Sequence, residues 1–157
     1  MDTHMENLDP RVTALTEALG RLSTDDVELR WAAVVDYDGL ILANYPPDDT
    51  EGMDQAVAST SHILRMGERA QQTVEFGKWR YTMISGAKFQ ELVMHLSNEV
   101  VLTVGVGAQT PLHKIFAAVR DVVPVLIRSL DLSARKSEEP NTMIMRRTEM
   151  DRHIKDQ

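Results

Sequence analysis

Cysteine is absent from the 157 residues. That excludes a disulfide framework, a thiol nucleophile and Cys-ligated zinc, and it suits a reducing compartment. Aromatic residues make up only 5 %, and no polar cluster converges where it could orient a small molecule. Apolar runs are strand-length, far short of a membrane span. Met1 to Pro10 is polar and acidic and does not resemble a secretory signal. These absences point to a cytoplasmic chain outside the membrane.

Hydrophobic residues amount to 43 % and alternate with polar segments, as expected of a globular chain with one core. The formal net charge is -7. Residues 1–133 carry 11 Lys and Arg against 19 Asp and Glu, whereas residues 134–157 carry 6 against 5. An acidic body lacks the basic face that nucleic acid requires and is repelled by an anionic membrane surface.

Asp9-Pro10 opens a first helix: aspartate caps it, and proline suits the first helical position, where an N–H would be unpaired anyway. Leu8, Val12, Leu15, Leu19 and Leu22 give that helix an apolar side. Two apolar runs, Trp31 to Val35 and Leu40 to Ala43, flank Asp38-Gly39 and read as a β-hairpin covered on both faces. Gly52 to Gln72 reads as a second helix with Met53, Val57, Thr60, Leu64 and Gly67 along one side. Its many small residues would let another backbone approach closely. Strands are expected over Lys78 to Ser85, Gln90 to Leu96 and Val100 to Val106, punctuated by Gly86-Ala87 and Ser97-Asn98 as in an antiparallel meander. Thr110-Pro111 begins a last helix striped by Leu112, Phe116, Val119, Val123, Leu126 and Leu130. Pro124 should kink or split it. The fold class is α+β, an α-β-β-α-β-β-β-α sandwich with a five-stranded antiparallel sheet. Its domain spans residues 1–132, followed by a polar, flexible tail over residues 133–157. The end of that tail could form a short helix carrying Met143, Met150 and Ile154 when it recruits a partner.

No motif supplies chemistry. Asp36-x-Asp38-Gly39 starts like a calcium loop, but no glutamate closes it, and a hairpin turn accounts for the residues. Gly105-Val-Gly107 lacks the third glycine of a dinucleotide fingerprint. The five histidines show no i,i+4 pair and no metal site is assigned. Ser59, Ser61 and Ser85 lack a nucleophile elbow, and Asp25-Asp26 and Asp48-Asp49 lie in polar loops. The chain is read as no enzyme, with no cofactor. In meander order, Lys78 to Ile84 lies at a sheet edge and exposes unpaired backbone groups. Lys78 and Arg80 could blunt that edge; pairing with a second copy would use it.

The order of elements, the hairpin Val34-Val35-Asp36-Tyr37-Asp38-Gly39-Leu40-Ile41-Leu42-Ala43 and the helical Leu64-Arg65-Met66-Gly67-Glu68-Arg69-Ala70 resemble the Roadblock/dynein light chain family. The likeness spans Leu8 to Leu132, fits the longin/profilin-like sandwich, and is strongest toward bacterial MglB-like members, which pair with small Ras-like GTPases. The resemblance implies a homodimer in which third strands pair and second helices lie side by side. Its seam would involve Trp79, Tyr81 and Met83 with Thr60 and Gly67, and a Ras-like GTPase would dock on Gln55, Ser59, His62, Arg65, Met66 and Arg69. Some family members accelerate GTP hydrolysis by repositioning the GTPase's own residues; others only scaffold. Two other functions fit the same elements: a nucleotide-independent adaptor in a larger assembly, and a PAS-like ligand sensor.

Overall fold

The computed structural model describes residues 9–137, with the backbone alone described over 132–137. The elements run α1 (Pro10–Gly20), β1 (Leu29–Asp36), β2 (Ile41–Tyr45), α2 (Thr50–Thr73), β3 (Tyr81–Ser85), β4 (Phe89–His95), β5 (Val100–Gly107) and α3 (Leu112–Ser137). All strand pairs are antiparallel, in the order β2-β1-β5-β4-β3. This is the expected fold.

Local chemistry sets the element ends. The Asp9 carboxylate accepts the Arg11 N–H at 2.9 Å and Pro10 occupies the first turn of α1. Asp49 likewise accepts the Gly52 N–H at 2.9 Å, so α2 starts at Thr50, two residues before the expected Gly52. In the β1–β2 turn, Asp36 Oδ1 accepts the N–H groups of Asp38 (2.9 Å) and Leu40 (2.8 Å). Gly39 there takes φ +88°, a conformation that a side chain would strain. The Asp36 carboxylate and Gly39 therefore organise the hairpin.

Strand alternation divides the sheet between two cores. Ala32, Val34, Leu102, Val104 and Leu92 face α1 and α3, meeting Leu15, Leu19, Ile115, Val119 and Leu126. Ala33, Val35, Val93 and Val101 face α2, meeting Met53, Ala56, Ile63 and Leu64. The nearly continuous apolar reading of β1 and β5 follows from this burial on both sides.

Two features of α3 differ from expectation, and Leu8 lies outside the described residues. Pro124 sits inside α3 without dividing it. Both Pro124 and Arg120, whose carbonyl loses its donor, are on the solvent side, where water can satisfy that carbonyl. Helix α3 also continues to Ser137, so the first residues of the expected tail are helical; the rest of the tail lies outside the described residues.

Candidate partner-binding surface

Strand β3 begins at Tyr81, three residues later than its sequence suggests. The cause is Trp79, whose ring packs against Gly67 of α2 so closely that a Cβ there would overlap it. Its Nε1 donates to Thr82 Oγ1 at 2.9 Å. Trp79 thereby joins the core beneath α2, whereas Tyr81 and Met83 point to the other face, Tyr81 against Phe116 with ring centroids 5.1 Å apart and Met83 against the α1/α3 core. The three residues expected in the seam are thus split between the two faces of the sheet.

The open side of β3 has a defined hydrogen-bond pattern. His95 N–H donates to the Arg80 carbonyl and Gly86 N–H to the Phe89 carbonyl, both at 3.0 Å. Even-numbered residues therefore bond inward to β4, and the backbone groups of Tyr81, Met83 and Ser85 point outward, unpaired among the described residues. Around this edge Phe76 is 64 % exposed, Tyr81 47 % and Ile84 44 %. Between the edge and α2 runs a groove of about 490 Å³ lined by Ile63, Met66, Gly67, Phe76, Trp79 and Tyr81. Apolar surface collected beside an unpaired strand is what a protein partner buries.

The expected seam residues on α2 need correction. Thr60 is 1 % exposed, shares its one hydroxyl proton between the Ala56 carbonyl at 2.8 Å and Glu91 Oε2 at 3.2 Å, and faces its own sheet. It offers nothing to a second copy, because it shares the inward stripe of Met53, Ala56 and Ile63. The open side of Gly67 is filled by Trp79. Among the expected docking residues, Gln55, His62, Arg65, Met66 and Arg69 lie exposed on the outer side of α2. Ser59 is half-buried and turned toward the sheet, its hydroxyl 2.6 Å from Glu91 Oε1.

Two polar clusters escaped the sequence reading. Glu91 is 5 % exposed and accepts from Ser59, Thr60 and Thr103 hydroxyls at 2.6, 3.2 and 3.3 Å. The available signal was the adjacent polar pair Gln90-Glu91 entering an otherwise apolar strand. At the other end of β4, His95 Nδ1 lies 2.9 Å from Tyr37 Oη, and its ring sits 4.4 Å from that of Trp79. Burial holds the His95 pKa below its ordinary value. Burial, then the Glu68 carboxylate, raise that of Tyr37. Among the described residues no group of three or more His, Asp or Glu could hold a metal. No described helix is long and apolar enough to cross a membrane.

Among the described residues, three helices and a five-stranded antiparallel sheet leave one sheet edge open beside a long helix. Comparison makes this specific: the Roadblock/LC7 domain family matches residues 15–105, more than half of the chain, and the chain belongs to that family. Among solved structures it is similar to the gliding protein MglB from Thermus thermophilus, at 14 % identity and TM-score 0.65, covering 78 % of this chain and 92 % of that one. Myxococcus xanthus MglB is similar at 16 % identity and TM-score 0.66, covering 79 % and 92 %. A Roadblock/LC7 domain from Streptomyces avermitilis follows at 18 % identity and TM-score 0.60, covering 78 % and 97 %. No curated protein sequence matches significantly.

Proposed function

We propose that this chain is a homodimeric, cytoplasmic regulator or scaffold that binds a small Ras-like GTPase and has no catalytic residues of its own. The observation that carries the reading is the bare β3 edge, flanked by exposed apolar side chains and by the outer face of α2, in a chain of the Roadblock/LC7 family. Two copies meet at that edge, and a two-fold axis through Met83 pairs every outward backbone group: Tyr81 with Ser85, Met83 with itself. The GTPase then docks across α2, where Arg65 and Arg69 present cations and Met66 an adaptable apolar surface. Modulation of hydrolysis or of localisation acts through the GTPase's own residues. Residues 138–157 serve as a recruitment arm, which predicts weaker partner binding after their deletion.

The test is titration of the purified protein with a Ras-like GTPase from the same organism, loaded with GDP or with a non-hydrolysable GTP analogue. Binding should depend on the nucleotide, and Arg65→Glu and Arg69→Glu should each weaken it about tenfold, or roughly 1.4 kcal/mol. Stability should stay within about 0.5 kcal/mol, as for surface substitutions generally. Equal binding in both nucleotide states would favour the adaptor reading, and no binding in either would overturn the GTPase assignment.

A further inference from the structure

Helix α3 carries an apolar stripe that its own domain does not cover. Phe116, Val123, Ile127 and Leu130 lie half-buried at helical spacing along one flank. The start of that stripe borders a groove of about 570 Å³ lined by Met94, Phe116, Val119, Arg120, Val123 and Pro124. Charges of alternating sign follow its rim. Asp121, Arg128 and Asp131 are exposed and share in no ion pair among the described residues. An apolar stripe bordered by charges of both signs is the kind of face that a second helix buries.

The sequence beyond α3 supplies such a helix. Pro140 disfavours helical backbone at Glu139, so a break falls within three residues of Ser137, where α3 ends. Asn141 or Thr142 then caps a segment with Met143, Met150 and Ile154 toward one side. A connection of three residues suits two antiparallel helices, and it sets Met150 level with Arg128 and Ile154 level with Pro124. Met150 then meets Ile127, and Ile154 meets Val123 at the mouth of the groove. Charges match in the same register: Arg146 and Arg147 come beside Asp131, Glu149 and Asp151 beside Arg128, and Lys155 toward Asp121. As a helix, residues 141–157 span about 25 Å, which reaches from Ser137 back to Arg120. A helix this short is marginal alone in water, so it forms against a surface.

We propose that residues 141–157 fold back as a helix along α3 and seat Ile154 at the groove, holding the segment on its own domain until a partner takes it. Seating involves neither β3 nor the outer face of α2, so it stands or falls separately from the GTPase reading. Because the chain has no cysteine, an introduced pair reports on this contact alone. In the full chain, Val123→Cys with Ile154→Cys should form a disulfide within one chain under mild oxidation, read by non-reducing electrophoresis and mass spectrometry. The control pair, Val123→Cys with Met143→Cys, is about 18 Å apart in this register and should cross-link at least about tenfold more slowly. In the wild-type chain, amide exchange over residues 143–154 should be about tenfold slower than in the same sequence as a free peptide. Ile154→Asp should erase that protection while leaving the thermal melting of the domain unchanged. Asp131→Arg should weaken it, and adding Arg147→Asp should restore it. Disulfides joining two chains would put a second copy's segment on the groove and overturn the fold-back. Equal cross-linking of both pairs, absence of both disulfide and protection, or protection that appears only with a partner present would overturn it as well.

Discussion

The two edges of the sheet are built in opposite ways. At one edge, β2 has Ile41, Leu42, Asn44 and Tyr45 half-buried; Tyr45 packs toward Gly20 of α1, and Leu42 and Tyr45 join the α1/α3 core. At the other edge, Tyr81 of β3 touches Phe116 of α3, yet Tyr81 and Ile84 stay exposed. Both strands are five residues long, so length does not protect either. Cover does, and among the described residues it is fuller over β2 than over β3. A bare edge with its apolar side chains intact is a surface left for another chain.

The largest effect should come from blocking the outward hydrogen bonds of β3. Met83→Pro removes an N–H that β4 does not use, and proline is tolerated at such edge positions. The monomer should fold while dimerisation is lost, as read by size-exclusion chromatography with light scattering. Leu40→Lys, beside the covered edge, should leave association unchanged; loss in both variants would erase the distinction between the edges.

Next in size is the approach to β3. Alanine normally stabilises a helix interior relative to glycine by up to about 1 kcal/mol. Gly67→Ala should do the reverse and cost about 1–3 kcal/mol, because its Cβ would displace the Trp79 ring. Urea unfolding gives the sign. Adding Trp79→Leu should restore part of the loss; stabilisation by Gly67→Ala alone would show that Trp79 does not hold the groove.

The smallest effect concerns pH. Burial lowers the His95 pKa, so the unfolded chain binds the proton more readily than the folded one. The stability that neutral His95 provides is therefore present above the unfolded pKa of about 6.5 and lost as pH falls through its lower folded value. Acidification should loosen the Trp79–His95 contact and shift tryptophan emission to the red. His95→Gln should remove that part of the pH dependence, and an unchanged profile would separate His95 from the loop entering β3.

Much of this was legible from residue order. Asp9-Pro10 marked the start of α1, Asp38-Gly39 the hairpin, and the apolar runs of β1 and β5 their burial on both faces. Those features are local: a cap, a positive φ and a period of two or 3.6 residues are written in neighbouring side chains. The family was legible for the same reason, through the hairpin and the Leu64–Ala70 turn of α2. Which edge lay bare, and what faced it, depended on contacts between distant segments. Trp79 reads as one more strand residue until Gly67, twelve positions away, makes room for it. Thr60 reads as part of the dimer seam until Glu91 meets it from the sheet. Sequence periodicity says that residues share a side of a helix, and only packing decides whether that side meets the protein's own sheet or the solvent. The sequence by itself determined the elements, their order and the two apolar faces of the sheet; the tertiary structure alone decided which side chains were consumed inside and which remained for a partner, because burial is a property of segments brought together.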